Sequence, residues 1–116
     1  MDFNVPIPNI LPAGHIRTVW EHLNNEVADL IKTLPEDHEL IANVILFNGD
    51  MIQVEEFSYA GPNLLIVIGK RNNNKTVTYI HQSSLQVVFS IVPKDVKVPR
   101  KAIGFIKPDE DLSEDK

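Results

Sequence analysis

Residues 44–57, which read VILFNGDMIQVEEF, decide the fold of this chain. They belong to two β-rich runs, residues 41–47 and residues 51–57, which are separated by Asn48-Gly49. Because Asn and Gly tolerate a positive φ, this pair between two such runs predicts a β-hairpin with a type I′ turn. The hairpin is the strongest local signal in the chain, and the other elements are placed around it.

Downstream of the hairpin, turn residues mark three more strands. Gly61-Pro62-Asn63 precedes the apolar run 64–68, whose unbroken hydrophobicity predicts burial on both faces. The polar segment 70–75 is expected to form a hairpin tip before a strand at residues 76–80. After a short turn at residues 82–84, the last strand is predicted at residues 85–92, where Pro93 ends it.

Upstream of the hairpin, the spacing of apolar residues predicts an amphipathic helix over residues 14–34. Apolar side chains recur at steps of three and four, with charged and amide side chains between them. These positions are Ile16, Val19, Trp20, Leu23, Val27, Leu30, Ile31 and Leu34. Pro35 ends the helix because its ring does not fit a continuing turn. The polar face mixes both signs of charge, which favours packing on a sheet over binding to a membrane surface.

The composition indicates one small domain. The chain has 116 residues, no cysteine and a formal net charge of −5. Disulfides and thiolate metal sites are therefore excluded, and bulk electrostatic coating of nucleic acid is disfavoured. The first residues do not resemble a signal peptide, and no apolar run is long enough to span a bilayer, so we expect a cytoplasmic protein without membrane contact.

The predicted domain organisation has three parts. We expect an extended N-terminal arm at residues 1–13 and a domain at residues 14–93, with its strands at residues 40–92. A C-terminal extension at residues 94–116 ends in an acidic tail. The fold class is mainly β: an SH3-like small barrel of five strongly bent antiparallel strands behind an N-terminal helix.

The fifth predicted strand carries almost no charged side chain. Such a strand at a free sheet edge is an aggregation hazard. Pairing with another copy of the chain in a closed, head-to-tail ring would protect it. The alternative is that the helix or the segment 97–106 covers this strand.

Two segments resemble the motifs of the Sm, LSm and Hfq superfamily. Residues 44–57 are similar to its Sm1 motif, an apolar strand, an Asn-Gly turn and a second strand that ends in Phe. Residues 79–88, which read YIHQSSLQVV, are similar to the bacterial Sm2 motif, Tyr-Lys-His followed by a turn and a final apolar strand. The resemblance covers residues 41–92, and the whole chain looks like an atypical, phage-encoded Sm-like protein.

The resemblance implies a homo-oligomeric ring of about five to seven copies, in which strand four of one subunit pairs with strand five of the next. The interface residues would be Thr76, Thr78, Ile80, Leu85, Val87 and Phe89. The family binds short single-stranded RNA, often uridine-rich, around the central pore and acts as an RNA chaperone or riboregulator. The corresponding RNA-binding residues here would be Tyr59, Asn63, Tyr79, His81 and Gln82, with Tyr59 as a stacking platform.

The chain also departs from the family pattern. Ser58 stands where an acidic residue is usual, the first loop contains Gly61-Pro62, and Ile80 replaces the Lys of Tyr-Lys-His. A basic contact to phosphate is therefore missing. A protein-interaction or assembly ring without nucleic acid is the second hypothesis. Residues 96–106 are compatible with a sixth strand, an arm along a neighbouring subunit or a basic strip that follows RNA.

The sequence predicts no enzyme, cofactor or metal site. His38 lies within Glu36-Asp37-His38-Glu39, but adjacent residues in a loop rarely converge on one cation. Ser83 and Ser84 follow His81 closely, yet the sequence signals neither an orienting carboxylate nor an oxyanion hole. The glycines are isolated turn residues and form no phosphate-binding loop.

Overall fold

The computed structural model describes residues 15–108. The predicted arm at residues 1–13 and the acidic tail at residues 109–116 lie outside the described residues. The elements are α1 (Ile16–Lys32), β1 (His38–Ile45), β2 (Met51–Ala60), β3 (Leu64–Arg71), β4 (Asn74–His81), a short 3-10 helix (Gln82–Ser84), β5 (Val87–Pro93) and β6 (Gly104–Phe105). The prediction of a mainly β fold with one N-terminal helix is confirmed.

Helix α1 lies on the sheet through the predicted apolar stripe. Ile16, Trp20, Leu23 and Val27 are buried. The indole N–H of Trp20 donates a hydrogen bond of 3.0 Å to the backbone oxygen of Phe57 in β2. The helix is therefore fixed to the sheet by a directional bond as well as by apolar packing.

The strands are ordered β4-β3-β2-β1-β5, with antiparallel neighbours throughout this path. β6 pairs with β2 in the parallel direction. Within residues 15–108, β4 and β5 are not joined to each other, so the sheet is open and a closed barrel is not shown. The core lies between α1 and the inner face of the sheet and includes Val44, Ile52, Phe57, Leu65 and Val67.

The turn at Asn48-Gly49 is not the type I′ turn that the sequence predicted. Gly49 has a φ of 93°, whereas Asn48 does not have a positive φ. The N–H of Gly49 donates to the carbonyl oxygen of Leu46 at 2.8 Å. The N–H of Leu46 in turn donates to the carbonyl oxygen of Asp50, also at 2.8 Å. This is a three-residue loop with glycine in the left-handed position. It lets Asn48 keep a negative φ while its side-chain Oδ1 accepts the N–H of Asp50 at 3.0 Å.

Two further boundaries differ from the prediction. β2 continues to Ala60, which pairs with Leu64, so the predicted loop at residues 58–63 shrinks to Gly61-Pro62-Asn63. The polar tip predicted at residues 70–75 is a tight turn, in which Asn72 and Asn73 have φ values of 53° and 66°. Positive φ at both central residues is the requirement of a type I′ turn, which asparagine tolerates. Both hairpins are therefore longer than the sequence indicated.

Residues 94–106, named here the C-terminal strap, contain a short sixth strand, which is one of the three predicted alternatives. Glu56 and Phe57 of β2 pair with Gly104 and Phe105 of the strap. The rings of Phe57 and Phe105 stack with their centroids 5.3 Å apart. At the other end of the strap, the Arg100 guanidinium donates to backbone carbonyl groups at the end of α1 and the start of β1. The strap is therefore anchored at two points.

Gly69 lies where β3 passes the bulge of β2. A Cβ at this position would lie 2.0 Å from the backbone oxygen of Gln53 and 3.0 Å from the Cα of Val54. Backbone atoms cannot move aside as a flexible side chain can. We expect Gly69→Ala to lower the free energy of unfolding by about 1 to 3 kcal/mol, measured by urea denaturation. An unchanged denaturation midpoint would contradict the close approach of β2 and β3.

Candidate nucleic-acid interface

The turn after β2 and the turn after β4 are joined by two hydrogen bonds. The N–H of Gln82 donates to the backbone oxygen of Asn63 at 2.9 Å. The side-chain Nε2 of Gln82 also donates to Oδ1 of Asn63 at 3.3 Å. Because Leu64 and His81 are register partners, the imidazole lies at the same end of the sheet. Three predicted RNA-binding residues, Asn63, His81 and Gln82, are thus brought together.

His81 caps the short 3-10 helix that follows β4. Its Nδ1 accepts the backbone N–H of Ser83 at 3.1 Å. A backbone N–H can only donate, so Nδ1 is the acceptor and the proton of the neutral imidazole is on Nε2. The His81 side chain is exposed, and it therefore offers an N–H donor to a ligand.

The side-chain amide of Asn63 is also oriented by a hydrogen bond. Its Oδ1 receives the Nε2–H of Gln82, which assigns the Nδ2 group of Asn63 to the opposite side of the amide. Asn63 is exposed. The joined turns therefore offer donors from both Asn63 and His81 to acceptor atoms such as carbonyl or phosphate oxygens.

Tyr79 adds an aromatic surface to this end of the sheet. Its side chain is 60% exposed. Because side chains alternate along a strand, Val77, Tyr79 and His81 lie on the same outer face of β4, and all three are exposed. A ring in this position can stack on a base, a contact worth about 1 to 3 kcal/mol.

Tyr59 does not have the position predicted for a stacking platform. It is 5% exposed, and its ring contacts Trp20 edge to face with the centroids 5.4 Å apart. The reason is the length of β2, which places Tyr59 within the strand on the side of the core. Tyr59 is thus a core residue and is removed from the candidate interface.

The six predicted subunit-interface residues lie on or beside β4 and β5, the two edge strands of the described sheet. Their side chains point largely inward: Ile80 is 7% exposed, and Leu85, Val87 and Phe89 pack against the core. Thr76 and Thr78 are half-buried. The outward-facing apolar residues of the two strands are Val77, Tyr79, Val88 and Ile91.

The start of α1 lies beside the joined turns, which the sequence did not indicate. The N–H of Ile16 donates to the backbone oxygen of Pro62 at 2.7 Å. His15 and Arg17 are exposed on either side of this contact, and the first turn of the helix contains no acidic residue. Helix starts carry a partial positive charge. The N–H groups of Ile16, Arg17 and Thr18 already have acceptors within the chain, and the Arg17 side chain lies 3.9 Å from Glu21, so this edge carries only a weak positive field.

Other kinds of site find little support. Within residues 15–108, no three His, Asp or Glu side chains are placed to hold a metal ion. In the described part of the chain, the acidic partner of His38 is its neighbour Asp37, with Nδ1 and Oδ1 2.7 Å apart. No helix in this part of the chain is long and apolar enough to cross a membrane.

Comparison of the chain with protein-family models, curated proteins and solved structures gives no match. The likeness to the Sm superfamily therefore stays a prediction from residues 44–57 and 79–88.

Proposed function

We propose that this chain is a non-enzymatic, Sm-like protein whose copies form a ring and bind short single-stranded RNA. The observation that supports this function best is the joined pair of turns, in which Asn63 and Gln82 are hydrogen-bonded beside the exposed His81. In the superfamily that the chain resembles, the loops at these two positions face the pore. A ring would repeat the cluster once per subunit, which multiplies weak single contacts.

The sheet has free edges of the kind that ring assembly needs. β4 and β5 lie at opposite ends of the strand order and have no second strand neighbour within the described residues. The bond from the N–H of Gln82 to Asn63 fixes the alternation of backbone groups along β4. The N–H groups of Val77 and Tyr79 therefore point away from β3. They are available to a strand of another copy.

The donors at the joined turns suit uridine. Uracil carries two carbonyl oxygens, and the N–H groups of Asn63 and His81 are complementary to such acceptors. Tyr79 supplies the stacking surface that Tyr59 cannot supply. Arg17, exposed at the start of α1 and 3.9 Å from Glu21, is the basic side chain next to the joined turns, and it would contribute a positive charge toward phosphate in place of the Lys that Ile80 replaces.

We expect Tyr79→Ala to weaken binding of fluorescein-labelled oligouridine by about 5- to 150-fold, the equivalent of one stacked base. The measurement is fluorescence anisotropy at several salt concentrations, since contacts to phosphate weaken as salt is raised. The matched control is His22→Ala, which removes an exposed ring from α1 instead of from β4, and it should leave the Kd unchanged. Equal affinity of Tyr79→Ala and His22→Ala would contradict the proposed interface.

An assembly ring without nucleic acid is the second candidate function. The formal net charge of −5 favours it, because a negative protein repels RNA at long range. The same titration separates the two candidates. A ring that shows no affinity for oligouridine or oligoadenine at low salt would support the assembly function and contradict RNA binding.

A further inference from the structure

The loop that joins β1 to β2 contains the one Asn-Gly step of the chain, Asn48-Gly49. The backbone nitrogen of the residue after an asparagine can attack the side-chain amide, and glycine shields that nitrogen least because it has no side chain. Every other asparagine of the chain is followed by a residue with a side chain. From the sequence alone, Asn48 is therefore the asparagine whose amide is most reactive.

Both residues of this step are exposed at the tip of the hairpin. A Cβ atom built on Gly49 would have no other atom within 4 Å, so the space beside this residue is open. Water can also reach the Asn48 side chain, because Asn48 and its neighbour Phe47 are both exposed. Neither crowding nor burial therefore protects the step.

Asp50 holds the Asn48 side chain beside the Gly49 peptide. Oδ1 of Asn48 accepts the backbone N–H of Asp50 at 3.0 Å, and Nδ2 of Asn48 lies 3.4 Å from the Asp50 carboxylate. Gly49 lies between the two bonded residues, so the side chain is folded back toward the backbone. A donor on Oδ1 also stabilises the negative charge that develops on this oxygen when a nucleophile adds to Cγ.

One hydrogen bond of the loop opposes the attack. The N–H of Gly49 donates to the carbonyl oxygen of Leu46 at 2.8 Å, and this bond must open before the nitrogen can become a nucleophile. Exposed hairpin tips open by local fluctuations, which require much less free energy than global unfolding. The bond therefore slows the attack without preventing it.

We propose that Asn48 is a site of spontaneous deamidation in the folded protein. The Gly49 nitrogen loses its proton to solvent base and forms a bond to Cγ of Asn48. The bond from Cγ to Nδ2 then breaks, and Nδ2 leaves as ammonia with a proton from solvent, which closes a succinimide ring. Water adds to either carbonyl carbon of the ring and breaks its bond to nitrogen, which gives aspartate or isoaspartate. The net reaction converts the amide and one water into a carboxylic acid and ammonia.

The modification changes the charge and the length of the hairpin tip. Each product has a carboxylate in place of the Asn48 amide, beside Asp50, which forms an ion pair with Arg71. Isoaspartate also adds one carbon to the main chain within the hydrogen-bonded loop from Leu46 to Asp50. The joined turns lie at the other end of β2, so this inference does not depend on ring formation or RNA binding.

The test follows the full, unmodified chain during incubation at mildly alkaline pH in water labelled with heavy oxygen. Tandem mass spectrometry locates each converted asparagine, because the hydrolysis step incorporates the label. We expect conversion of Asn48 to be about tenfold faster or more than that of Asn43, Asn63 or Asn72, a difference of about 1.4 kcal/mol in the activation free energy. The rate should rise with pH, since the Gly49 nitrogen must lose its proton, and isoaspartate should be among the products.

Gly49→Asn is the informative variant, because asparagine tolerates the positive φ of this position but shields the nitrogen. We expect it to slow the conversion of Asn48 by about tenfold or more. Conversion of Asn48 that is no faster than that of the other three asparagines in the unmodified chain would overturn the proposal, and so would an unchanged rate in the variant. The comparison within the unmodified chain remains decisive even where the variant does not fold.

Discussion

Replacing Trp20 with alanine is expected to lower the free energy of unfolding by about 3 to 5 kcal/mol. Trp20 is 4% exposed, and its ring contacts Tyr59 and Phe105 edge to face at centroid distances of 5.4 and 5.8 Å. The substitution also removes the indole donor to the backbone oxygen of Phe57. Small domains are stable by about 5 to 15 kcal/mol in total, so the variant loses a large share of its stability.

The measurement is urea denaturation followed by far-ultraviolet circular dichroism, because the chain has a single tryptophan and the variant has none. His22→Ala, on the exposed side of the same helix, is the control and should change the stability by less than about 0.5 kcal/mol. A Trp20→Ala variant as stable as the control would contradict the packing of α1 on the sheet.

The second large effect is expected from Val77→Pro at the edge of β4. The backbone N–H of Val77 points away from β3, so proline at this position removes an edge donor without breaking a bond inside the subunit. If copies join through β4 and β5, the variant should no longer assemble. We expect its mass in solution to fall to that of one chain, 13.1 kDa, while its circular dichroism spectrum is retained.

Val77→Ala is the matched control for this prediction. It removes the same exposed side chain, but it keeps the backbone N–H, so it should remain assembled. Sedimentation velocity on both variants measures whether the backbone N–H or the side chain of residue 77 is needed for assembly. A proline variant with the mass of the unmodified chain would contradict assembly through the edge of β4.

The local elements could be predicted because their signals lie within short stretches of sequence. The apolar stripe from Ile16 to Val27 and the break at Pro35 identify α1, and the turn residues Gly61 and Gly49 separate the strands. The lengths of the strands were harder to predict from the sequence. Tyr59 could be assigned to a loop or to the core, and only the pairing of β2 with β3 through Ala60 decides between them.

The candidate sites depend on contacts between distant residues, which a local reading does not supply. The alternation in β4 separates Thr76, Thr78 and Ile80 from Val77 and Tyr79, but only the position of α1 shows which set faces inward. The anchoring of the C-terminal strap is a second such contact, because Arg100 donates to the backbone oxygen of His38, more than sixty residues earlier in the sequence.

The central claim is that copies of this chain form a ring around an RNA-binding pore. Native mass spectrometry of the unmodified chain with oligouridine tests it most directly. The account predicts one dominant species of about five to seven chains of 13.1 kDa each with RNA bound. A single chain of 13.1 kDa without RNA would contradict it.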